Sequence, residues 1–277
     1  MIRRRSAHTA FALCVWALAA CSLLRPLDDL ESSRSSLRAE PCPDEMQEVR
    51  FEDGAAFCID KREATRAEYE EFFMAPSSEV ALALQDATLC PDPGRFEPGA
   101  GADCTSAYEP GVAPELPVVC VDLCDAMAYC GFRGKRLCGG RGGDTVKRDS
   151  VNDLNVDEWF TACTGGTDRE YPYEKYQLGI CNVASSGVQA ADDFPGCVTP
   201  DNIEQLSGNV SEWVLFCQET RRGVGTMCLV RGGEYGTLES QLAACAFIEE
   251  LGGTVEPRRS HPPTERAAGV GIRCCRD

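Results

Sequence analysis

Apolar and polar positions along the chain alternate between short helical stretches and short runs with the character of strands. Thr65-Arg66-Ala67-Glu68 has the spacing of a capping box, and Tyr69, Phe72 and Phe73 follow at helical intervals, which predicts a helix with an apolar stripe. Asp122 stands where it would cap a second helix carrying Met127 and Cys130, with Asp125 in the first turn. Asn155, with Glu158 three residues on, is placed to cap a third, in which Trp159, Ala162 and Cys163 share a face. Leu116–Val121, Val210–Phe216 and Cys228–Arg231 are the strand candidates. Glycine and proline recur between these segments, no fixed-period repeat appears, and no second linker follows residue 42. The pattern therefore predicts one loop-rich α+β domain over residues 42–277.

The first segment has a different pattern. Arg3-Arg4-Arg5 is followed by an apolar run from Phe11 to Leu18, too short to span a bilayer, which predicts an export signal over residues 1–20. The run ends in Leu18-Ala19-Ala20-Cys21, which resembles a bacterial lipoprotein processing site with Cys21 as the lipidated residue. Ordinary signal cleavage with Cys21 incidental is the alternative. Residues 21–41 are polar and without periodicity, as suits a tether. Ser22 offers no aspartate-type inner-membrane retention cue, which points to the outer membrane of a bacterial envelope.

Composition sharpens this picture in two ways. The 277 residues carry a net charge of -17, which deepens to -20 once the three arginines of residues 1–20 leave; such a surface repels phosphate backbones and argues against nucleic acid as a partner. Acidity of this kind is compatible with divalent cations or basic partners, and equally with simple solubility. Of 18 cysteines, all but Cys14 and Cys21 lie in the predicted domain, enough for eight disulfides, and this agrees with an oxidising compartment. Zinc is disfavoured, because there is no C-x-x-C pair and only His261 remains after residue 20.

Several blocks along the domain then resemble, in order, the formylglycine-generating enzyme (sulfatase-modifying factor) family. They are Phe57-Cys58-Ile59-Asp60 with Glu63-Ala64-Thr65 and Glu68-Tyr69; Pro117-Val118-Val119 with Asp125-Ala126-Met127-Ala128-Tyr129-Cys130 and Gly134-Lys135-Arg136-Leu137; Glu158-Trp159 with Cys163-Thr164-Gly165-Gly166; Tyr171-Pro172-Tyr173; Ser207-Gly208-Asn209-Val210-Ser211-Glu212-Trp213; Arg231-Gly232-Gly233; and Gly271-Ile272-Arg273. The resemblance implies a compact fold distantly related to C-type lectins. It also implies disulfides between Cys130 and Cys274 and between Cys163 and Cys245.

The same resemblance implies metal sites of two kinds. The family's oxidase converts a substrate cysteine to formylglycine with oxygen and copper, the metal held by two thiolates just after "RGGS"; soft thiolates suit Cu(I). Here Thr237 falls on the first of those positions and the second falls at or near Leu242, so copper is not expected and no catalytic residue is assigned. Cys245, the nearest thiol, is the implied partner of Cys163. The iron sites of related sulfoxide synthases need three histidines and are missing as well. Neither a G-x-S-x-G elbow nor a phosphate-binding glycine loop is present, and Gly139–Gly143 reads as a turn. Calcium is implied at Gln205, Gly208, Val210 and Glu212, and a second set at Asn182, Val183 and Asp193, mixing side-chain and carbonyl oxygens. Gly208-Asn209 as a tight turn with purely structural Glu212 and Trp213 is the competing reading.

These features lead to an exported lipoprotein with a non-catalytic domain that binds or scaffolds a protein or glycan at the cell envelope. An active oxidase with a rearranged thiol pair is the alternative, and a lectin-like carbohydrate binder is a third reading that rests on fold analogy. Replacing the anchor residue tests the export step: Cys21→Ser is expected to yield unprocessed or soluble protein, and radiolabelled fatty acid should enter the wild type alone.

Overall fold

The computed structural model describes residues 41–75, 85–91, 96–99, 104, 111–219, 225–246 and 259–277. The segment expected to be an export signal, Cys21 and the expected tether lie outside these residues, except Pro41. No helix among the described residues is long and apolar enough to cross a membrane.

Local sequence chemistry accounts for three helices. Helix α1, Arg66–Phe73, starts at the Thr65 cap: Thr65 Oγ1 accepts from the Glu68 amide at 3.2 Å and Glu68 Oε2 accepts from the Thr65 amide at 2.9 Å. Its buried face is Tyr69 and Phe72, which pack on Tyr129 with ring centroids 5.6 and 5.9 Å away. Phe73 turns outward, since the next position round the helix leaves the core side. Helix α2, Leu123–Phe132, is closed by the reciprocal bonds of Asp122 and Asp125.

Helix α3, Glu158–Thr164, is capped by Asp157, which accepts from the Phe160 amide at 3.1 Å, and not by the expected Asn155. The reason is tertiary. Asn155 is bonded through both side-chain atoms to Glu52, while Glu158 is held by Arg136 in a bidentate pair at 2.7 and 2.7 Å.

Two four-stranded sheets organise the rest. The first runs β1 (Met46–Arg50), β2 (Ala56–Asp60), β8 (Cys274–Arg276), β3 (Arg136–Leu137), and every neighbouring pair is antiparallel. The second runs β6 (Ser260–His261), β5 (Thr226–Arg231), β4 (Ser211–Glu219), β7 (Val270–Gly271); only β4 and β7 pair in parallel. Leu116–Val121 does not form a strand. Pro117 makes one isolated bridge with Thr65, Cys120 has φ 61°, and Val118 and Cys120 donate to the separate carbonyls of Ala64 and Ala267. Val118, Cys120 and Val121 are buried as irregular backbone, which a hydrophobic run alone cannot distinguish from a buried strand.

Apolar packing falls into two main groups. One joins α1 and α2 to Trp213, Val230 and Ile272; the other joins β1, β2 and α3 to Leu206, Val214 and Leu229. Eight disulfides use every cysteine from Cys42 onward. Cys130–Cys274 and Cys138–Cys275 tie α2 and the segment after β3 to the C-terminal strand, and Cys163–Cys245 ties α3 to the segment beyond β5. Loops this long give each bridge about 4–5 kcal/mol in the chain-entropy model.

Between the sheets lies a buried ion pair. Arg273, next to β8, donates from Nε to Glu212 Oε1 on β4 at 2.8 Å, from Nη1 to the Asp60 carbonyl at 2.8 Å and from Nη2 to the Glu204 carbonyl at 2.7 Å. Glu212 Oε2 accepts from Trp159 Nε1 at 2.6 Å. Both charged side chains are inaccessible to solvent. Arg273→Met is expected to cost about 3–5 kcal/mol by leaving the Glu212 charge buried without its partner, whereas Glu212→Gln/Arg273→Met should recover part of that loss. Urea unfolding with the disulfides intact measures both.

Candidate functional site

Strand β5 ends at Arg231, and the chain turns sharply through Gly232 (φ 88°) and Gly233 (φ 73°). A Cβ on Gly233 would stand 2.8 Å from the Leu242 carbonyl oxygen, so this close approach requires glycine. Below the turn, Arg231 is buried: its guanidinium forms an ion pair with Asp157 and donates to Asn152 Oδ1 at 3.0 Å and to the Cys245 carbonyl at 2.9 Å. Trp159 lies against the cation, its ring centroid 5.5 Å away.

The turn opens one wall of a cleft of about 450 Å³. Glu234, Tyr235, Gly236, Thr237 and Leu242 line it after the turn, and Arg259, His261, Glu265 and Gly269 line it from later in the chain. Thr237 and Leu242, at or near the positions that the resemblance matches to the family's copper ligands, therefore line the same cavity. Thr237 is largely buried, and its hydroxyl accepts from the Glu234 amide at 3.2 Å. Burial and the neighbouring Glu234 charge push the Tyr235 phenol up. Cys245 is buried and bridged to Cys163, so it presents no thiol to the cleft.

The residues matched to calcium ligands lie along the Ser207–Glu212 turn and the segments beside it. Gln205 (φ 58°) donates from Nε2 to the Ala191 carbonyl at 3.2 Å, while its Oε1 is buried with no hydrogen-bond partner. Gly208 has φ 76°, and a Cβ there would meet the Asn182 carbonyl at 2.7 Å. Val210 donates its amide to Glu63 Oε1 at 3.3 Å, and Glu212 holds Arg273 and Trp159. Among the described residues no group of three or more histidine, cysteine, aspartate or glutamate side chains is placed to hold a metal. That does not bear on a site built from carbonyl and amide oxygens, and the unmatched Gln205 Oε1 fits a hard cation.

In the second set, Asn182 donates to Asn209 Oδ1 at 2.9 Å and to the Gly187 carbonyl at 3.0 Å, and its Oδ1 accepts from Ser185. Val183 is buried. Asp193 is exposed, and its carboxylate accepts from the Ala190 amide at 3.2 Å.

Glu63 and Asn209 were not singled out by the sequence as site residues, yet they connect these segments. Asn209 Nδ2 donates to Glu63 Oε2 at 2.6 Å and to the Gln189 carbonyl at 3.1 Å, and Asn209 Oδ1 accepts from Asn182 and from the Gln189 amide. Burial and the Glu212 charge push Glu63 up to about 8. His261 and Glu265 were missed as well: His261 Nδ1 and Glu265 Oε1 are 3.1 Å apart on the cleft wall. Their only sequence signal is a four-residue spacing.

Comparison with known proteins agrees with this architecture. The family model for the sulfatase-modifying factor enzyme 1-like domain matches residues 33–277. The crystal structure of CarF superposes with TM-score 0.51 at 18% identity, over 84% of this chain and 98% of CarF. PvdO from Pseudomonas aeruginosa superposes with TM-score 0.51 at 20% identity, over 83% of this chain and 82% of PvdO. No curated protein sequence matches. At such identities the two structures speak for the fold, whereas the match over residues 33–277 settles kinship: the chain belongs to the sulfatase-modifying factor family.

Proposed function

We propose that this chain is a non-catalytic member of its family, exported and anchored to the bacterial envelope through Cys21, whose domain binds or scaffolds a protein or glycan. The observation that carries the reading is the state of the sulfur atoms. Every cysteine from Cys42 onward is in a disulfide, and the cleft is lined by Thr237 and Leu242, which the family resemblance puts at or near the copper-thiolate positions. A threonine hydroxyl must lose its proton to bind a metal tightly, and leucine has no donor atom, so neither replaces a soft thiolate for Cu(I). Eight bridges in a domain with two substantial apolar groups exceed what folding alone needs and suit durability outside the cytoplasm.

Purified mature protein, given copper, oxygen, a reductant and a sulfatase-type cysteine peptide, is expected to form no aldehyde product by mass spectrometry. Steady copper-dependent aldehyde formation would establish the oxidase instead.

Calcium belongs to the same proposal. We assign it to Gln205, Gly208, Val210 and Glu212, whose side-chain and carbonyl oxygens would hold it, and the buried unmatched Gln205 Oε1 supports the assignment. Millimolar calcium is expected to raise the melting temperature of the wild type relative to chelator-treated protein, and Gln205→Leu should abolish the difference. Equal melting temperatures with calcium and with chelator would leave the segment a structural turn.

A further inference from the structure

Seven of the eight disulfides join segments that are not directly opposite on paired strands; Cys217–Cys228 joins two residues that are. The strands are paired on both sides of the bridge, by Gln218↔Met227 and Glu219↔Thr226 on one side and, beyond a register shift between Trp213 and Cys217, by Glu212↔Arg231 and Trp213↔Val230 on the other. It also closes the shortest loop of the eight, at a sequence separation of 11, and so removes the least freedom from the unfolded chain. As a staple it is nearly redundant.

The row does not stop at Cys228. On the far side of β5, Cys228 is paired with His261 of β6. Residues directly opposite in neighbouring strands project on the same face with Cβ atoms about 4.5–5.5 Å apart, so the Cβ atoms of Cys217, Cys228 and His261 form a row across three strands. The ring is fixed from two sides. Its Nδ1 is 3.1 Å from Glu265 Oε1, and the ring meets Trp213 edge-on with centroids 5.9 Å apart. His261 also lines the cleft, and its side chain is 16% exposed. Cys228 is fully buried, whereas Cys217 is half-buried, so Cys217 is the more accessible residue of the two.

We propose that Cys217–Cys228 is a redox-active disulfide that exchanges with thiols, with His261 as proton donor to the leaving sulfur and Glu265 as its positioning residue. A thiolate attacks Cys217 Sγ, its sulfur bonds to Cys217, and the Cys217–Cys228 bond breaks with the electron pair passing to Cys228. The imidazolium of His261 protonates that thiolate. A second thiolate attacks the substrate sulfur of the mixed disulfide and releases Cys217, which takes a proton from solvent. Two thiols are thereby oxidised to one disulfide and the protein disulfide is reduced to a dithiol, a two-electron exchange that balances without metal or oxygen. The substrate class is a cysteine peptide or a small thiol. This reaction is separate from formylglycine formation and does not depend on the non-catalytic reading of the Thr237 position.

The test titrates the intact mature protein with reduced glutathione, quenches with iodoacetamide and maps alkylated cysteines by peptide mass spectrometry. The expected result is a population alkylated at Cys217 and Cys228 alone, with seven bridges intact. His261→Gln should slow the appearance of that population at least about tenfold while leaving its equilibrium fraction unchanged, because a proton donor changes rate and not equilibrium. Opening of any other bridge before Cys217–Cys228 in the wild type would overturn the proposal, as would a His261→Gln rate equal to wild type. Cys217→Ser/Cys228→Ser should keep the wild-type near-ultraviolet circular dichroism; loss of that signal would make the bridge a required staple and also refute the proposal.

Discussion

The Arg273–Glu212 pair is the interaction on which the two sheets depend. Arg273 precedes the strand at the centre of the first sheet, and Glu212 lies on the strand at the centre of the second, so one guanidinium spans the junction. Its remaining donors go to the carbonyls of Asp60, at the end of β2, and of Glu204, in the irregular chain before β4. Removing two charges from water is costly, and the pair is tolerable because each partner is further hydrogen-bonded. Trp159 completes the carboxylate from α3, which draws the third helix into the same junction. Glu63 lies close enough to feel the Glu212 charge, and its own oxygens receive Asn209 and the Val210 amide.

From this junction the polar network runs outward through Asn209 to Asn182 and Gln189, giving a loop-rich region fixed partners in place of a regular ladder. Few residues here are in helices or strands, so backbone order cannot come from repeating hydrogen bonds alone. Disulfides supply the remainder. The bridges reaching the C-terminal strand, Cys130–Cys274 and Cys138–Cys275, close loops of 144 and 137 residues and constrain the unfolded chain on either side of the ion pair.

The cleft inherits its shape from this frame and its chemistry from a few exchangeable positions. Gly232 and Gly233 make the turn, the buried Arg231–Asp157 pair supports it from below, and Trp159 lies between the two charge networks. None of those residues contributes a reactive atom to the cavity. Beyond the turn the cavity is lined by Thr237 and Leu242, a hydroxyl and a hydrocarbon. A frame of this kind tolerates such changes because its stability resides in groups that face away from the cleft. Of the acid–base groups that line the cavity, Glu234 and Tyr235 follow the turn, while His261 and Glu265 lie on and just after a strand of two residues whose partner carries a disulfide.

Local chemistry was legible in the sequence wherever a short interval carried the whole signal. The capping boxes at Thr65 and Asp122 and the central strands near Val210 and Cys228 needed only a few neighbouring residues to specify them, and the ordered motif blocks were enough to name the family. The sequence left undecided whatever depends on partners distant in the chain. Asn155 has the composition of a helix cap, but Glu52, more than a hundred residues away, claims its side chain and the cap passes to Asp157. Leu116–Val121 has the composition of a strand, yet no neighbouring strand pairs along it, so its hydrogen bonds go to single carbonyls. The juxtaposition of Cys217, Cys228 and His261 is likewise invisible in one dimension, because strand register alone brings a histidine beside a disulfide from which it is separated by more than thirty residues.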